Sequence, residues 1–275
     1  MSDTLEILLT NDDGIDSPGI RALYDGLSEL GNVITVAPAD DQSAVGRALS
    51  HEVEVTEHEL GYAVHGTPAD CVVAGLGALT PGSTPDLVVS GCNKGANLGE
   101  YVLGRSGTVS AAVEAAFFDV PAIATSLYVP VGDVAFADVE TSPEQYTHAV
   151  DATCYFAEAA LENGIFETLS YLNINAPVPS MTSGAVDLAP IEITRPSKRY
   201  EMDAVRTENG IRLQDRVWEE MDPQIIPDPE GTDRRAVAEG RVSVTPLTVP
   251  HTVADTGPLE ELAAAYGRLG HELES

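Results

Sequence analysis

LEILLTNDDGIDSPGI, residues 5–20, is an apolar run that stops at an acidic turn and restarts as a helix. Leu5 to Leu9 carry a buried-strand pattern bounded by Asn, Asp and Gly. Ser17 and Pro18 then supply an N-cap and a first-turn proline. Beyond them Ile20, Leu23, Tyr24, Leu27 and Leu30 recur at helical spacing. Strand, acidic turn, helix is the opening of an open-sheet α/β domain, whose ligands bind at the carboxyl ends of the strands. Asp12 and Asp13 stand at that edge. Adjacent carboxylates repel unless a cation neutralises them, and hard divalent ions such as Mg²⁺ or Mn²⁺ take oxygen ligands of this kind. A solvated acidic turn capping the helix is the plainer alternative.

Outward from this stretch, strand-like runs at Val33–Ala37, Leu87–Ser90, Ala122–Ser126 and Tyr171–Asn175 alternate with helical patterns. The helical patterns cover Thr67–Leu79, Thr108–Phe118 and Pro143–Asn163. Such alternation predicts an α/β fold built on a mostly parallel sheet with helices on both faces. Glu52–Glu57 and Tyr62–His65 form a candidate hairpin within it. After about residue 186 the pattern changes. In IEITRPSKRYEMDAVRTENGIRLQDRVWEE, residues 191–220, Asn209-Gly210 between alternating runs predicts a second hairpin. TDRRAVAEGRVSVTPL, residues 232–247, reads as a short helix and a strand, and Pro258–Leu269 as an amphipathic terminal helix. The expectation is a single domain over 1–275, with a core at about 1–186 and an oligomerisation arm and C-terminal elements at about 187–275.

Composition narrows the partners. The 275 residues are 43% hydrophobic, with 44 acidic against 14 basic side chains and a net charge of −30. No broad basic face can be assembled, which argues against nucleic-acid duplexes and anionic membranes as partners. Lys94 and Lys198 are the only lysines. A carboxylate-covered, lysine-poor surface suits concentrated salt, where the Debye length falls to about 3 Å and self-repulsion is screened. Cys71, Cys92 and Cys154 have no paired spacing for zinc or redox chemistry, and none of the six histidines has metal-ligand spacing. With no signal-peptide pattern and no apolar membrane span, the expected location is the cytoplasm.

Three further segments carry polar groups suited to chemistry. APADDQSAVGRALS, residues 37–50, places Ser43 in a loop after the second strand, over the same sheet edge. VVSGCNKGANLGEYVLGRSGTVSAAVEAA, residues 88–116, follows a buried strand with glycines 91, 95 and 99 around Asn93, Lys94 and Asn97. Glycines let backbone N–H groups approach an anion closely. Ser106, Gly107 and Thr108 open the next helix, and helix N-termini bind phosphate through unpaired N–H groups. The spacing matches neither the P-loop nor the dinucleotide fingerprint. HGTPADCVVAGL, residues 65–76, is explained by capping: Thr67 as N-cap, Pro68 in the first turn, Asp70 near a capping-box position.

Taken together, these segments resemble the SurE family of stationary-phase survival proteins, which act as 5′/3′-nucleotidases. The resemblance rests on ILLTNDDGIDSPGI, APADDQSAVGRALS, HGTPADCV, SGCNKGANLG, SGTVSAA with PAIATS, LNINAP and GRVSVTPL, in the family's order from residue 7 to about 247. It implies a metal-dependent phosphomonoesterase acting on nucleoside monophosphates, with one Mg²⁺ or Mn²⁺ per subunit. It also implies a Rossmann-like α/β core with a C-terminal hairpin exchanged between the subunits of a homodimer or homotetramer. By the same resemblance, Asp12, Asp13, Ser43 and Asn93 fall on the metal ligands, with the aspartates catalytic. Asn97, Ser106, Gly107 and Thr108 fall on the segment around the substrate phosphate. Ala44 replaces a small glycine, Cys92 an aliphatic residue, Arg105 an aromatic and Ser110 a glycine, while Ala115 and Ala116 fill the usual Glu-Gly neighbourhood.

The expected chemistry is in-line attack of a metal-activated water at phosphorus, with one aspartate as a candidate base. Two other readings stay open. An aspartyl-phosphate mechanism would use an aspartate as nucleophile, although enzymes of that type alternate their two aspartates with another residue. A non-catalytic sensor would bind nucleotide or metal through the same loops.

Overall fold

The computed structural model describes residues 4–249 apart from 81, 83, 131–138, 163 and 180–187. The chain runs β1 (Leu5–Thr10), α1 (Pro18–Leu27), β2 (Gly31–Pro38), β3 (Glu54–His58), β4 (Gly61–His65) and α2 (Pro68–Ala74). It continues with β5 (Leu87–Lys94), α3 (Glu100–Leu103), α4 (Gly107–Phe117), β6 (Ala122–Tyr128), α5 (Thr147–Glu162) and β7 (Tyr171–Pro177). β8 (Ile191–Ile193), β9 (Met202–Thr207), β10 (Gly210–Asp215), α6 (Asp233–Ala238) and β11 (Val242–Leu247) follow.

Nine strands form the main sheet in the order β3-β4-β2-β1-β5-β6-β7-β11-β8. The six from β4 to β7 are parallel, while β3 and β11 run antiparallel to β4 and β7. Both faces are covered, as the alternation of strands and helices predicts. Within β1, Ile7 and Leu9 join the cluster under α1 and α5, while Leu8 joins the opposite cluster with α2 and α4. Leu87 and Val89 against Val88 repeat the same split in β5. Successive strand side chains point to opposite faces, so a continuous apolar run is the signature of a strand buried on both sides.

Local signals set most element ends. Ile20, Leu23 and Leu27 are the buried stripe of α1. The Thr67 hydroxyl accepts from the Asp70 N–H while the Asp70 carboxylate accepts from the Thr67 N–H, closing the capping box. The helical pattern of Thr67–Leu79 divides into α2 and a wider-wound turn at Gly75–Leu79. Leu8 packs against the bare Cα of Gly75 there. The hairpins at 54–65 and 202–215 form as their alternation predicts. β9 and β10 make a separate two-stranded ribbon. Two strands from beyond residue 186, β8 and β11, extend the main sheet; β11 is wedged between β7 and β8. The terminal helix expected at 258–269 lies outside the described residues.

Strand order positions the site. β1 leads to β2 on one side, and the chain then crosses to β5 on the other. The crevice outside the carboxyl ends of β1 and β5 is therefore the switch point at which open sheets bind ligands.

Candidate active site

Asp12 and Asp13 stand two and three residues past Thr10, the last residue of β1, with Asn11 between. Asn11 closes the turn: its carboxamide nitrogen donates to the Gly14 carbonyl at 2.7 Å and to the Ser17 hydroxyl at 2.9 Å. Ser17, expected to cap α1, makes no side-chain cap bond and serves this turn instead. Asp12 is 3% exposed, and Asp13 is half-buried.

Each aspartate is tied to a different segment. The Thr108 hydroxyl donates to Asp12 Oδ1 at 2.6 Å. Gly107 packs so close that a Cβ there would sit 2.8 Å from the Asp12 carboxylate. Only glycine lets the N-terminus of α4 approach this near. The Lys94 N–H donates to Asp13 Oδ2 at 2.7 Å, and the Gln42 N–H donates to the Asp12 carbonyl at 2.7 Å. The turn after β1 is thus stitched to the loops after β2 and β5 and to the start of α4.

Ser43 and Asn93 are sequence neighbours of those two stitches. The Ser43 hydroxyl donates to Asp41 at 2.6 Å, and its N–H donates to the same carboxylate oxygen at 2.8 Å. The Asn93 carboxamide nitrogen donates to the Gly95 carbonyl at 2.5 Å, leaving its oxygen as the donor atom a cation would take. β5 is irregular where it reaches Asn93, with a register shift against β6 between Ser90 and Asn93. Gly91 there has φ +137°, and a Cβ would overlap the Thr125 carbonyl.

Asn97 is buried and held from three sides. Its N–H donates to Asn175 Oδ1 at 2.7 Å. Its carbonyl accepts from Asn173 at 2.9 Å and Asn175 at 3.2 Å. Its carboxamide nitrogen donates to Ser126 Oγ at 2.9 Å and, more weakly, to Thr108 Oγ1 at 3.4 Å. Ser106 caps α4 by accepting from the Val109 N–H at 3.0 Å. Arg105 lies 3.7 Å over the Tyr101 ring, which itself stacks on Tyr200 with centroids 4.5 Å apart. Asn173, Asn175 and Ser126 were not singled out by pattern, although paired asparagines inside an apolar strand are an available signal: buried amides need partners.

The electrostatics favour a cation. Burial pushes the Asp12 carboxyl above its ordinary range, against the pull of the Thr108 hydrogen bonds. Burial, then the charge of Asp12, pushes Asp13 up to about 7. Asp41 adds a smaller push to both. Lys94 pulls Asp13 the other way, through its backbone N–H and, more weakly, its charge, without offsetting the rise. Among the described residues no group of three or more His, Cys, Asp or Glu is placed to hold a metal ion without neutral oxygen donors. A donor set of two carboxylates, a hydroxyl and an amide oxygen contains oxygen alone, and it fits a hard divalent ion rather than a soft one.

Comparisons with known proteins agree with this geometry. The family model "Survival protein SurE" matches residues 7–203. The chain is 61% identical to the 5′-nucleotidase SurE of Haloarcula marismortui, covering 94% of each protein. It is 59% identical to that of Natronomonas pharaonis, over 95% of this chain and all of the relative. The crystal structure of the SurE protein from Aquifex aeolicus superposes with a TM-score of 0.73 at 31% identity, over 94% of this chain and 99% of that one. A parallel sheet with its acidic turn at the switch point, and a match spanning most of the chain, have one reading: this protein belongs to the SurE family.

Proposed function

We propose that the chain is a nucleotidase that hydrolyses nucleoside 5′-monophosphates to nucleoside and phosphate, using one divalent ion per subunit. The observation that carries this reading is the Asp12–Asp13 pair, Asp12 buried and Asp13 half-buried, with Asp12 set against the N-terminus of α4. It joins an oxygen-only metal site to a helix start suited to phosphate, the two halves a phosphomonoesterase needs. The 5′-nucleotidase names of relatives 54–61% identical over nearly the whole chain support the substrate class.

Asp12, Asp13, Ser43 and Asn93 would hold the ion. When bound, it would supply Lewis-acid activation of water and charge neutralisation at phosphorus. The N-terminus of α4 at Ser106 to Thr108 would hold phosphate oxygens through backbone N–H groups and the helix dipole. Asn97, locked by Asn173 and Asn175, would fix the position of that phosphate. An aspartate next to the attacking water could take its proton.

The same reading includes a single-domain subunit in a homodimer or homotetramer, joined through the β9–β10 arm. That ribbon exposes Met202, Val205, Ile211 and Leu213, apolar side chains that a partner subunit would cover. Among the described residues no helix is long and apolar enough to cross a membrane. The proposed setting is a salt-rich cytoplasm.

The experiment is phosphate release from 5′-AMP in molar KCl, with Mn²⁺, with Mg²⁺ and with EDTA. Release that needs a metal and is abolished by EDTA is the expected outcome. A folded sample that releases nothing with either metal would overturn the reading.

A further inference from the structure

Asp233 is 0% exposed and lies outside every motif assigned above to metal or phosphate. Its side chain spends all its contacts on backbone amides. Oδ2 accepts from the Gly99 N–H at 2.7 Å; Oδ1 accepts from the Ser197 N–H at 2.8 Å and the Arg234 N–H at 2.7 Å. The neighbouring Arg234 guanidinium, 1% exposed, turns instead to Asp228 at 3.2 Å and to the Val217 carbonyl at 2.8 Å. Ser197 Oγ donates to Asp228, and the Ser197 carbonyl accepts from the Glu100 N–H at 2.8 Å. A buried ionic group of this kind is costly to desolvate, and apolar packing would serve stability as well. The arrangement is informative because of what it grips.

Gly99 starts α3. Its carbonyl accepts from the Val102 and Leu103 N–H groups, and the Val102 carbonyl accepts from those of Arg105 and Ser106. One short turn therefore carries the chain from Gly99 to the cap of α4, with Gly107 against Asp12 and Thr108 bonded to it. Asn97, two residues before Gly99, is bolted to β7. The proposed phosphate segment is thus fixed at one point by Asn173 and Asn175 and at a second by Asp233, which reaches it from 134 residues away.

We infer that Asp233 is a positioning residue for the phosphate-binding segment, holding Gly99 so that α3 delivers the N-terminus of α4 to its place beside Asp12. The inference rests on the nucleotidase reading. Loss of the grip lets the segment drift, while Asp13, Ser43 and Asn93 keep their bonds to Lys94, Asp41 and Gly95 and only Asp12 is tied to the segment itself. Misplacement on the ångström scale costs up to about a hundredfold in rate.

The test is Asp233→Asn beside Ser197→Ala, both in molar KCl with Mn²⁺. Asparagine offers one acceptor oxygen and must turn an N–H toward one of the amides that aspartate satisfied. Ser197→Ala breaks the bond to Asp228 but keeps the Asp233–Gly99 contact. For Asp233→Asn we expect kcat/KM for 5′-AMP to fall about 10- to 100-fold. The inhibition constant for inorganic phosphate should rise in step, with Mn²⁺ affinity falling by much less than kcat/KM, since three of the four proposed ligands are anchored elsewhere. Ser197→Ala should lose thermal stability yet keep kcat/KM within about threefold. Equal losses in both variants, a parallel loss of Mn²⁺ affinity, or normal kcat/KM in Asp233→Asn would each overturn the inference. A second measurement uses the wild-type protein: the Gly99 amide should exchange slowly and slow further with inorganic phosphate. Fast exchange, or exchange unmoved by phosphate, would overturn it. Wild type that binds Mn²⁺ but hydrolyses no nucleotide would instead sink the nucleotidase reading, and this inference with it.

Discussion

The Thr108 hydroxyl meets Asp12 Oδ1 at 2.6 Å across 96 residues of sequence, joining the turn after β1 to the first turn of α4. This bond brings the two halves of the candidate site into register. It gives a buried carboxylate one of its few donors, and it holds the helix start against the acidic turn. Thr108 itself also receives the weaker bond from Asn97, so the contact lies at the junction of metal and phosphate segments.

Thr108→Val keeps the shape and removes the donor. A buried acceptor left without its partner should cost about 1–3 kcal/mol of stability. Metal affinity should weaken as well, because the Asp12 carboxylate loses the hydrogen bond that favours its charged form. Calorimetric titration with Mn²⁺ and thermal unfolding in EDTA check both. Wild-type values in each would show that the bond carries nothing.

Asp13 should make metal-free stability depend on pH. Its carboxyl is raised from 3.8 to about 7, first by burial and then by the charge of Asp12. Between those values the folded state keeps a proton that the unfolded chain has released. Its contribution is fully present below 3.8 and is lost as pH rises through about 7. In EDTA, the unfolding temperature of wild type minus that of Asp13→Asn should therefore be higher at pH 5 than at pH 8. Excess Mn²⁺ should reverse the trend, since the ion binds the deprotonated pair. A difference independent of pH in EDTA would rule out the buried carboxyl as its source.

Ala44 holds φ at +60°, next to the proposed ligand Ser43. The left-handed region crowds a Cβ, and glycine adopts it freely. The family resemblance places a glycine here, and this backbone angle supplies the reason. Ala44→Gly should stabilise the protein by about 0.5–1 kcal/mol, net of the added freedom of the unfolded chain. Urea unfolding in molar KCl measures it; a destabilised variant would mean that the methyl group packs usefully.

Net charge of −30 on 275 residues should make the fold depend on salt. At about 0.01 M salt the Debye length is about 30 Å and surface carboxylates repel one another across the molecule; at 1 M it is about 3 Å. The melting temperature should rise steeply between low and molar KCl. An unchanged value would show that the acidic surface has other means of balance.

Much of this architecture was legible in the chain. β1, α1, the capping box at Thr67 and both hairpins follow from steric and apolar preferences acting over a few residues, which any reader of the chain can apply. The same local logic puts Asp12 and Asp13 at a strand's carboxyl end. It could not show that Ser17 would serve Asn11 rather than cap α1, or that Ser43 would donate to Asp41. Nor did it show that β11 would insert antiparallel beside β7, because strand pairing depends on which edges are left once the other strands have assembled. The sequence by itself determined the strand–turn–helix opening and the types of chemical group at the sheet edge. Only the tertiary structure decided that Asn173, Asn175 and Asp233 grip the phosphate segment. Those bonds span 76 to 134 residues, and a buried hydrogen bond takes its partner from whatever the packed sheet brings within about 3 Å.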